Sequence, residues 1–226
     1  MARLDALVFD AYGTLFNVHS VIAVCEELFP GKGQALSQLW RSKQLEYSWL
    51  RSLMGRYVDF DQVTADALRY ACHALGLAYA EPVREELNRA YRTLQPFEDA
   101  HAALRALDAM TPRPRLAILS NGAPDMLNAV VEHNHLDSML DEVLSVDAVG
   151  IYKPDPRVYQ LAADRLRIAA GRMGFVSSNG WDAAGAKAFG FTVFWVNRAN
   201  GPLEELGVAP DHVLTSLSEL PDLLIG

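Results

Sequence analysis

The chain has 226 residues, with 20 Lys+Arg against 28 Asp+Glu, a formal net charge of −8, and half of its residues are hydrophobic. That profile excludes disorder, collagen and coiled coil as the dominant state, and the acidic balance disfavours a nucleic-acid or anionic-membrane partner. No run reaches the roughly 18 apolar residues of a membrane span, and no signal peptide is visible; two cysteines, Cys25 and Cys72, are too few for a disulfide framework, so the expectation is a cytoplasmic protein.

A buried strand is expected at Leu4–Phe9. Residues 17–95 then lack strand signals and carry helical stripes. Around Ser37–Gly55 the stripe is Leu36, Leu39, Trp40, Tyr47, Leu50 and Met54; over Asp61–Leu77 it is Val63, Ala67, Tyr70, Ala71 and Ala74. From Gln95-Pro96-Phe97 onward strands and helices alternate. Helices are expected at Ala100–Ala109, Pro124–His133, Pro156–Leu166 and Trp181–Phe189, and strands at Leu116–Leu119, Gly174–Val176, Thr192–Val196 and His212–Leu214, with Glu142–Val146 a weaker one. Pro124 and Pro156 suit first helical positions, and Asp155 suits an N-cap. The pattern predicts an α/β chain. A doubly wound (Rossmann-like) parallel sheet core, residues 1–16 and 96–226, carries a helical cap, residues 17–95, inserted after the first strand with its junctions close in space.

Ligands of open parallel sheets bind beyond the carboxyl ends of the strands. Four polar clusters fall there. The first strand runs into Asp10-Ala11-Tyr12-Gly13-Thr14, and the strand at 116–119 into Ser120-Asn121-Gly122. The loop Tyr152-Lys153-Pro154-Asp155-Pro156 precedes a helix, and the strand at 174–176 ends in Ser177-Ser178-Asn179-Gly180-Trp181-Asp182. Gly13 permits a sharp turn, and the Thr14 hydroxyl suits a carboxylate oxygen. A carboxylate at a strand end is a ready covalent nucleophile, because it is ionised at neutral pH. No Gly-X-Ser-X-Gly elbow or Gly-X-Gly-X-X-Gly loop is present, and His133 and His135 lie away from the strand-end clusters, with no cluster of acids or cysteines nearby.

Over the whole chain these clusters resemble the four motifs of the haloacid dehalogenase superfamily, with Asp10 in the first, Ser120 in the second, Lys153 in the third and Ser177–Asp182 in the fourth. Two departures narrow the resemblance. Tyr12 stands where the superfamily's phosphatases carry the Asp that protonates the leaving alcohol. The fourth motif offers Ser177, Ser178 and Asn179 where those enzymes hold Mg²⁺ with a pair of acids, leaving only Asp182. Both departures are similar to the metal-free L-2-haloacid dehalogenase branch, in which a Ser-Asn pair precedes the remaining Asp.

The resemblance implies hydrolytic dehalogenation of short L-2-haloalkanoic acids, or of haloacetate, to 2-hydroxy acids. The route is an aspartyl ester on Asp10, with inversion and with no metal or cofactor. Halide loss forms no alkoxide, so position 12 needs no proton donor. Arg41, followed by Leu45 one turn on, is implied as halide acceptor together with Asn121. Leu45 is implied beside the substrate, and Tyr12, Phe60 and Trp181 read either as pocket walls, since aromatic edges are electropositive, or as core and cap-packing aromatics. Ser120, just ahead of a helix start, is implied to hold the substrate carboxylate, with helix capping as its plainer role. Lys153 is implied as the fixed cation beside Asp10, and Tyr159 as a neighbour of the site. Ser177 and Asn179 are expected to orient Lys153 and Asp10, and Asp182 to hold the hydrolytic water. Asn179 also reads as a helix N-cap and Asp182 as a first-turn acid. The implied partner is a small anionic halogenated carboxylate, with no nucleic acid and no membrane, and the implied assembly is a homodimer. The alternative activity is a Mg²⁺-dependent phosphatase or phosphonatase of the same superfamily.

Overall fold

The structure, a computed structural model, describes residues 3–225. Six parallel strands form one sheet: β1 (Ala6–Phe9), β2 (Arg115–Ser120), β3 (Glu142–Ser145), β4 (Met173–Ser177), β5 (Thr192–Val196) and β6 (His212–Leu214), in the order β3-β2-β1-β4-β5-β6. All four residues of β1 are buried, as befits a central strand covered on both faces. The strand order reverses between β1 and β4, and such a switch point opens a crevice at the carboxyl ends of those strands. Register fills that crevice with polar groups. Phe9 pairs with Ile118 on one side and Val176 on the other, so Asp10 emerges beside Ser177 and close to Ser120.

The stretch that follows β1 holds α1 (Val21–Leu28), α2 (Gly33–Leu53), α3 (Phe60–Ala74) and α4 (Glu81–Arg92), with a fifth helix before β2. The chain leaves and rejoins the sheet layer at one place. Asn17 N–H donates to the Gln95 carbonyl at 2.8 Å, and Phe97 N–H to the Leu15 carbonyl at 2.9 Å. The core helices are α5 (Ala100–Asp108), α6 (Pro124–His133), α7 (Pro156–Leu166), α8 (Gly180–Phe189) and α9 (Leu220–Ile225). Pro124 and Pro156 open α6 and α7, and the Asp155 side chain caps α7 by accepting from Arg157 N–H at 2.9 Å. No helix among the described residues is long and apolar enough to cross a membrane.

The apolar stripes need correction at their ends. Leu50 and Met54 on and after α2 are exposed, as is Tyr70 on α3. The buried face of α2 is instead Leu36, Ser37, Trp40, Gln44 and Ser48. Gln44 Nε2 donates to Thr64 Oγ1 at 3.0 Å, Tyr91 O–H to Gln44 Oε1 at 3.0 Å, and Trp40 Nε1 to the Thr64 carbonyl at 2.9 Å. A fully satisfied polar network buries as readily as an apolar one, so hydrophobicity alone misplaces this face. Within the helical 17–95 stretch the structure also delimits α1 and α4, and it adds α9 after β6.

Candidate active site

Asp10 follows the buried strand β1 and is itself only 6% exposed. Gly13 adopts φ +92°, a left-handed conformation open to glycine, and this folds Thr14 back over the carboxylate. Thr14 Oγ1 donates to Asp10 Oδ2 at 3.0 Å while accepting Ser178 N–H at 2.8 Å. Asn179 Nδ2 donates to the same Oδ2 at 2.7 Å and to the Tyr12 carbonyl at 3.1 Å. Ser177 Oγ lies 3.5 Å from Asp10 Oδ2 and 3.2 Å from Asp182 Oδ2. Oδ2 is thus crowded by donors, whereas among the described residues Oδ1 meets only the Lys153 ammonium, at 3.1 Å.

Lys153 Nζ also donates to Asp182 Oδ2 at 2.9 Å, and Tyr159 O–H donates to Asp182 Oδ1 at 2.8 Å. Asp182 is fully buried and Lys153 nearly so. Burial opposes the charge on Lys153, but Asp10 and Asp182 outweigh it and hold the ammonium above its ordinary pKa. Burial raises the Asp182 carboxyl above the usual carboxylate range; Asp10 adds to that, and Lys153 opposes it. Burial, reinforced by Asp182, pushes the Tyr159 phenol well up, so it remains a proton donor. No group of three or more His, Cys, Asp or Glu suited to a metal occurs among the described residues. The chain's own ammonium sits between the two carboxylates.

A cleft of about 440 Å³ opens beside Asn179 and is lined by Arg41, Leu45, Gly13, Phe97 and Arg198. A larger one, about 610 Å³, lies between α3 and α4 among Asp61, Arg84, Arg89 and Arg92, and none of the residues expected to do chemistry lines it. We take the smaller cleft as the approach to Asp10. Arg41 is half-buried and has no hydrogen bond or ion pair among the described residues. Tyr12 stacks on Phe60 with ring centroids 6.0 Å apart, and its buried hydroxyl has no partner among the described residues. Trp181, in the first turn of α8, meets Trp49 of α2 edge-on at 5.3 Å. Asn121 accepts Lys153 N–H through Oδ1 at 3.0 Å, which leaves its amide NH₂ to donate elsewhere.

Two plainer roles fail. Ser120 is not the cap of α6, whose N-cap is Ala123; its hydroxyl accepts Gly122 N–H at 3.1 Å. Asn179 occupies the N-cap position of α8, but its side chain makes no capping bond and turns to Asp10. Two expectations also shift. Asn179 orients Asp10, but neither it nor Ser177 bonds the Lys153 ammonium, which the two carboxylates hold directly. Asp182 already has both oxygens engaged, by Lys153, Ser177 and Tyr159. Sequence reasoning missed Arg198. Arg198 lies two residues beyond β5, so the strand-end rule that located the other clusters would have located it.

Residues 4–190 match the family model described as haloacid dehalogenase-like hydrolase. The chain is 50% identical over 223 residues to an (S)-2-haloacid dehalogenase of Pseudomonas sp. (strain YL), covering 99% of this chain and 95% of that protein. It is 43% identical over 224 residues to haloacetate dehalogenase H-2 of Moraxella sp. (strain B), with 99% of each covered. Its fold superposes with a TM-score of 0.92, at 43% identity and 99% coverage of both chains, on an L-2-haloacid dehalogenase from Xanthobacter autotrophicus with chloropropionic acid covalently bound. With the strand-end site, the full-length match and the shared fold in agreement, this chain belongs to the haloacid dehalogenase-like hydrolases.

Proposed function

We propose that this protein hydrolyses the carbon–halogen bond of short L-2-haloalkanoic acids, or of haloacetate, to give 2-hydroxy acids. The observation that carries this reading is the asymmetric setting of Asp10. Its Oδ2 is held by Thr14 and Asn179, while Oδ1 faces only Lys153. Oδ1 attacks the halogen-bearing carbon from the face opposite the halogen. A C–O bond forms, the C–halogen bond breaks, and its electron pair leaves on the halide, which Arg41 and the Asn121 NH₂ receive. The substrate carboxylate is held at Ser120 near the start of α6, where unpaired N–H groups favour an anion. Tyr12, Leu45, Phe60 and Trp181 enclose the carbon chain.

Water then attacks the Asp10 carbonyl carbon, and its proton passes to Asp182, a stronger base than an exposed carboxylate because burial raises its pKa. The ester C–O bond breaks on the carbonyl side, the departing alkoxide takes the proton back from Asp182, and Asp10 is restored as a carboxylate; the substrate carbon is inverted once, so an L-haloacid yields a D-hydroxy acid. Tyr12 suits the first step, since halide leaves without needing a proton and burial raises the phenol's own pKa.

The test is halide release from chloro-, bromo- and fluoroacetate and from L- and D-2-chloropropionate, with and without EDTA. Chelator-insensitive release from the L-isomer is expected; Mg²⁺-dependent phosphate release from phosphate esters or phosphonates, without halide release, would overturn the reading. The protein is further proposed to be cytoplasmic, which suits two free, buried cysteines, and to form a homodimer, for which the exposed Leu50, Leu53, Met54 and Tyr70 offer an apolar face.

A further inference from the structure

Beyond β5 the chain makes a tight turn closed by Asn197, whose side chain donates to the Gly201 carbonyl and accepts Gly201 N–H, both at 2.9 Å. The turn presents Arg198, whose guanidinium lies over the Phe97 ring at 4.0 Å from the centroid. Its two terminal nitrogens reach three acceptors. Nη1 donates to Ser178 Oγ at 2.8 Å, and Nη2 donates to the Thr14 carbonyl at 3.1 Å and to Asp99 Oδ1 at 2.9 Å. Asp99 is anchored in turn by Ser216 O–H and Leu217 N–H, each at 2.8 Å to Oδ2. Despite its burial, these donors hold the Asp99 carboxyl below the usual range, so the pair stays charged.

Thr14 shares the grip on Asp10 Oδ2 with Asn179, and Ser178 holds Thr14 in place. Ser178 N–H fixes Thr14 Oγ1, and Thr14 Oγ1 donates to Asp10 Oδ2. A planar guanidinium that bonds both residues sets the spacing between the loop after β1 and the loop after β4, with a rigidity that a flexible ammonium lacks. Phe97 and Asp99 sit where the chain returns from the cap to the sheet, so Arg198 also ties that junction to the site. We propose that Arg198 is a positioning residue for dehalogenation: it fixes Thr14 and Ser178 so that Asp10 Oδ2 is held and Oδ1 is aimed at the substrate. The role rests on Asp10 being the nucleophile.

The test is steady-state halide release by Arg198→Met, which keeps an apolar stem over Phe97 and removes the fork. We expect kcat to fall about tenfold or more with KM changed less than about threefold, because an interaction used in reaching the transition state is lost without loss of substrate contact. In a Thr14→Val background the same change should lower kcat by less than about threefold, because both substitutions act on one hydrogen-bonded unit. A merely structural arginine would not produce that non-additivity in kcat. A single-variant kcat within about threefold of wild type, a rise in KM with kcat unchanged, or multiplicative kcat losses would overturn the role. Should Arg198→Met fail to fold, Asp99→Asn frees the same guanidinium and is held to the same non-additivity. Asp10→Asn is assayed alongside; activity in that variant would overturn the nucleophile assignment, and the role of Arg198 with it.

Discussion

Lys153 donates to Asp10 Oδ1 at 3.1 Å across 143 residues of chain, and that ammonium, 1% exposed, is shared with Asp182 at 2.9 Å. One cation therefore compensates two buried carboxylates, and its removal leaves both charges without a partner. Lys153→Met should cost about 3–5 kcal/mol of stability as well as activity. Urea denaturation with a shared m-value measures this; a midpoint equal to wild type would contradict it.

Asp10→Asn should behave oppositely in stability. It removes one carboxylate and leaves Lys153 and Asp182 as a neutral pair, so the melting temperature should hold or rise while turnover falls at least about 10³-fold, as for loss of a covalent nucleophile. In wild-type enzyme, a single turnover in ¹⁸O-water should place label on Asp10, read by mass spectrometry of its peptide. Label on the hydroxy acid in that first turnover would rule out the ester.

The pH profile follows from the buried pair. Burial raises Asp182, so on acidification kcat should fall with an apparent pKa above the ordinary carboxylate value of 3.8. Lys153 is raised above 10.5, so its charge and the stability it contributes are fully present below pH 10.5 and lost only as pH rises through its higher folded value. Activity at saturating substrate should therefore persist to pH 10. A basic limb set by Lys153 below 10.5 would be inconsistent with this arrangement.

Arg41 is half-buried and unpaired, so it should matter to chemistry and little to folding. Arg41→Lys keeps the charge and loses the planar fork; kcat should drop about 10²-fold, in the range for removing a preorganised donor to a developing anion. The melting temperature should stay within about 2 °C, since no described partner is lost. Calorimetry and halide release on one preparation check both.

A β-carbon on Gly185 would lie 2.5 Å from Tyr159 Oη and 2.6 Å from Pro154 Cβ. Gly185→Ala should therefore push Tyr159 from Asp182 and cost about 1–3 kcal/mol by overpacking. Activity should fall more than in Tyr159→Phe, which removes only the hydroxyl. Equal kcat in the two variants would mean that the phenol alone matters.

Much of this protein is legible locally. The alternation of strands and helices, the Pro-marked starts of α6 and α7 and the polar clusters after β1, β2 and β4 all rest on neighbours a few residues apart, and periodicity and turn chemistry report those faithfully. The departures from a phosphatase's acids at Tyr12 and at Ser177–Asn179 are likewise legible, because they depend only on which residue types are present. Other features required the folded chain. The buried face of α2 follows Gln44 rather than Leu50, because Thr64 and Tyr91, 20 and 47 residues from Gln44 in sequence, satisfy its amide. Asp182 turned out to be enclosed by Lys153, Ser177 and Tyr159, and Arg198 to join Thr14, Ser178 and Asp99. The opening composition of −8 set only a global charge; which cation is buried with which carboxylate, and which, like Arg41, is left free, was decided by parallel register. That register carries loops from distant parts of the sequence to one end of the sheet, where a charge must find its partner or lose its solvation.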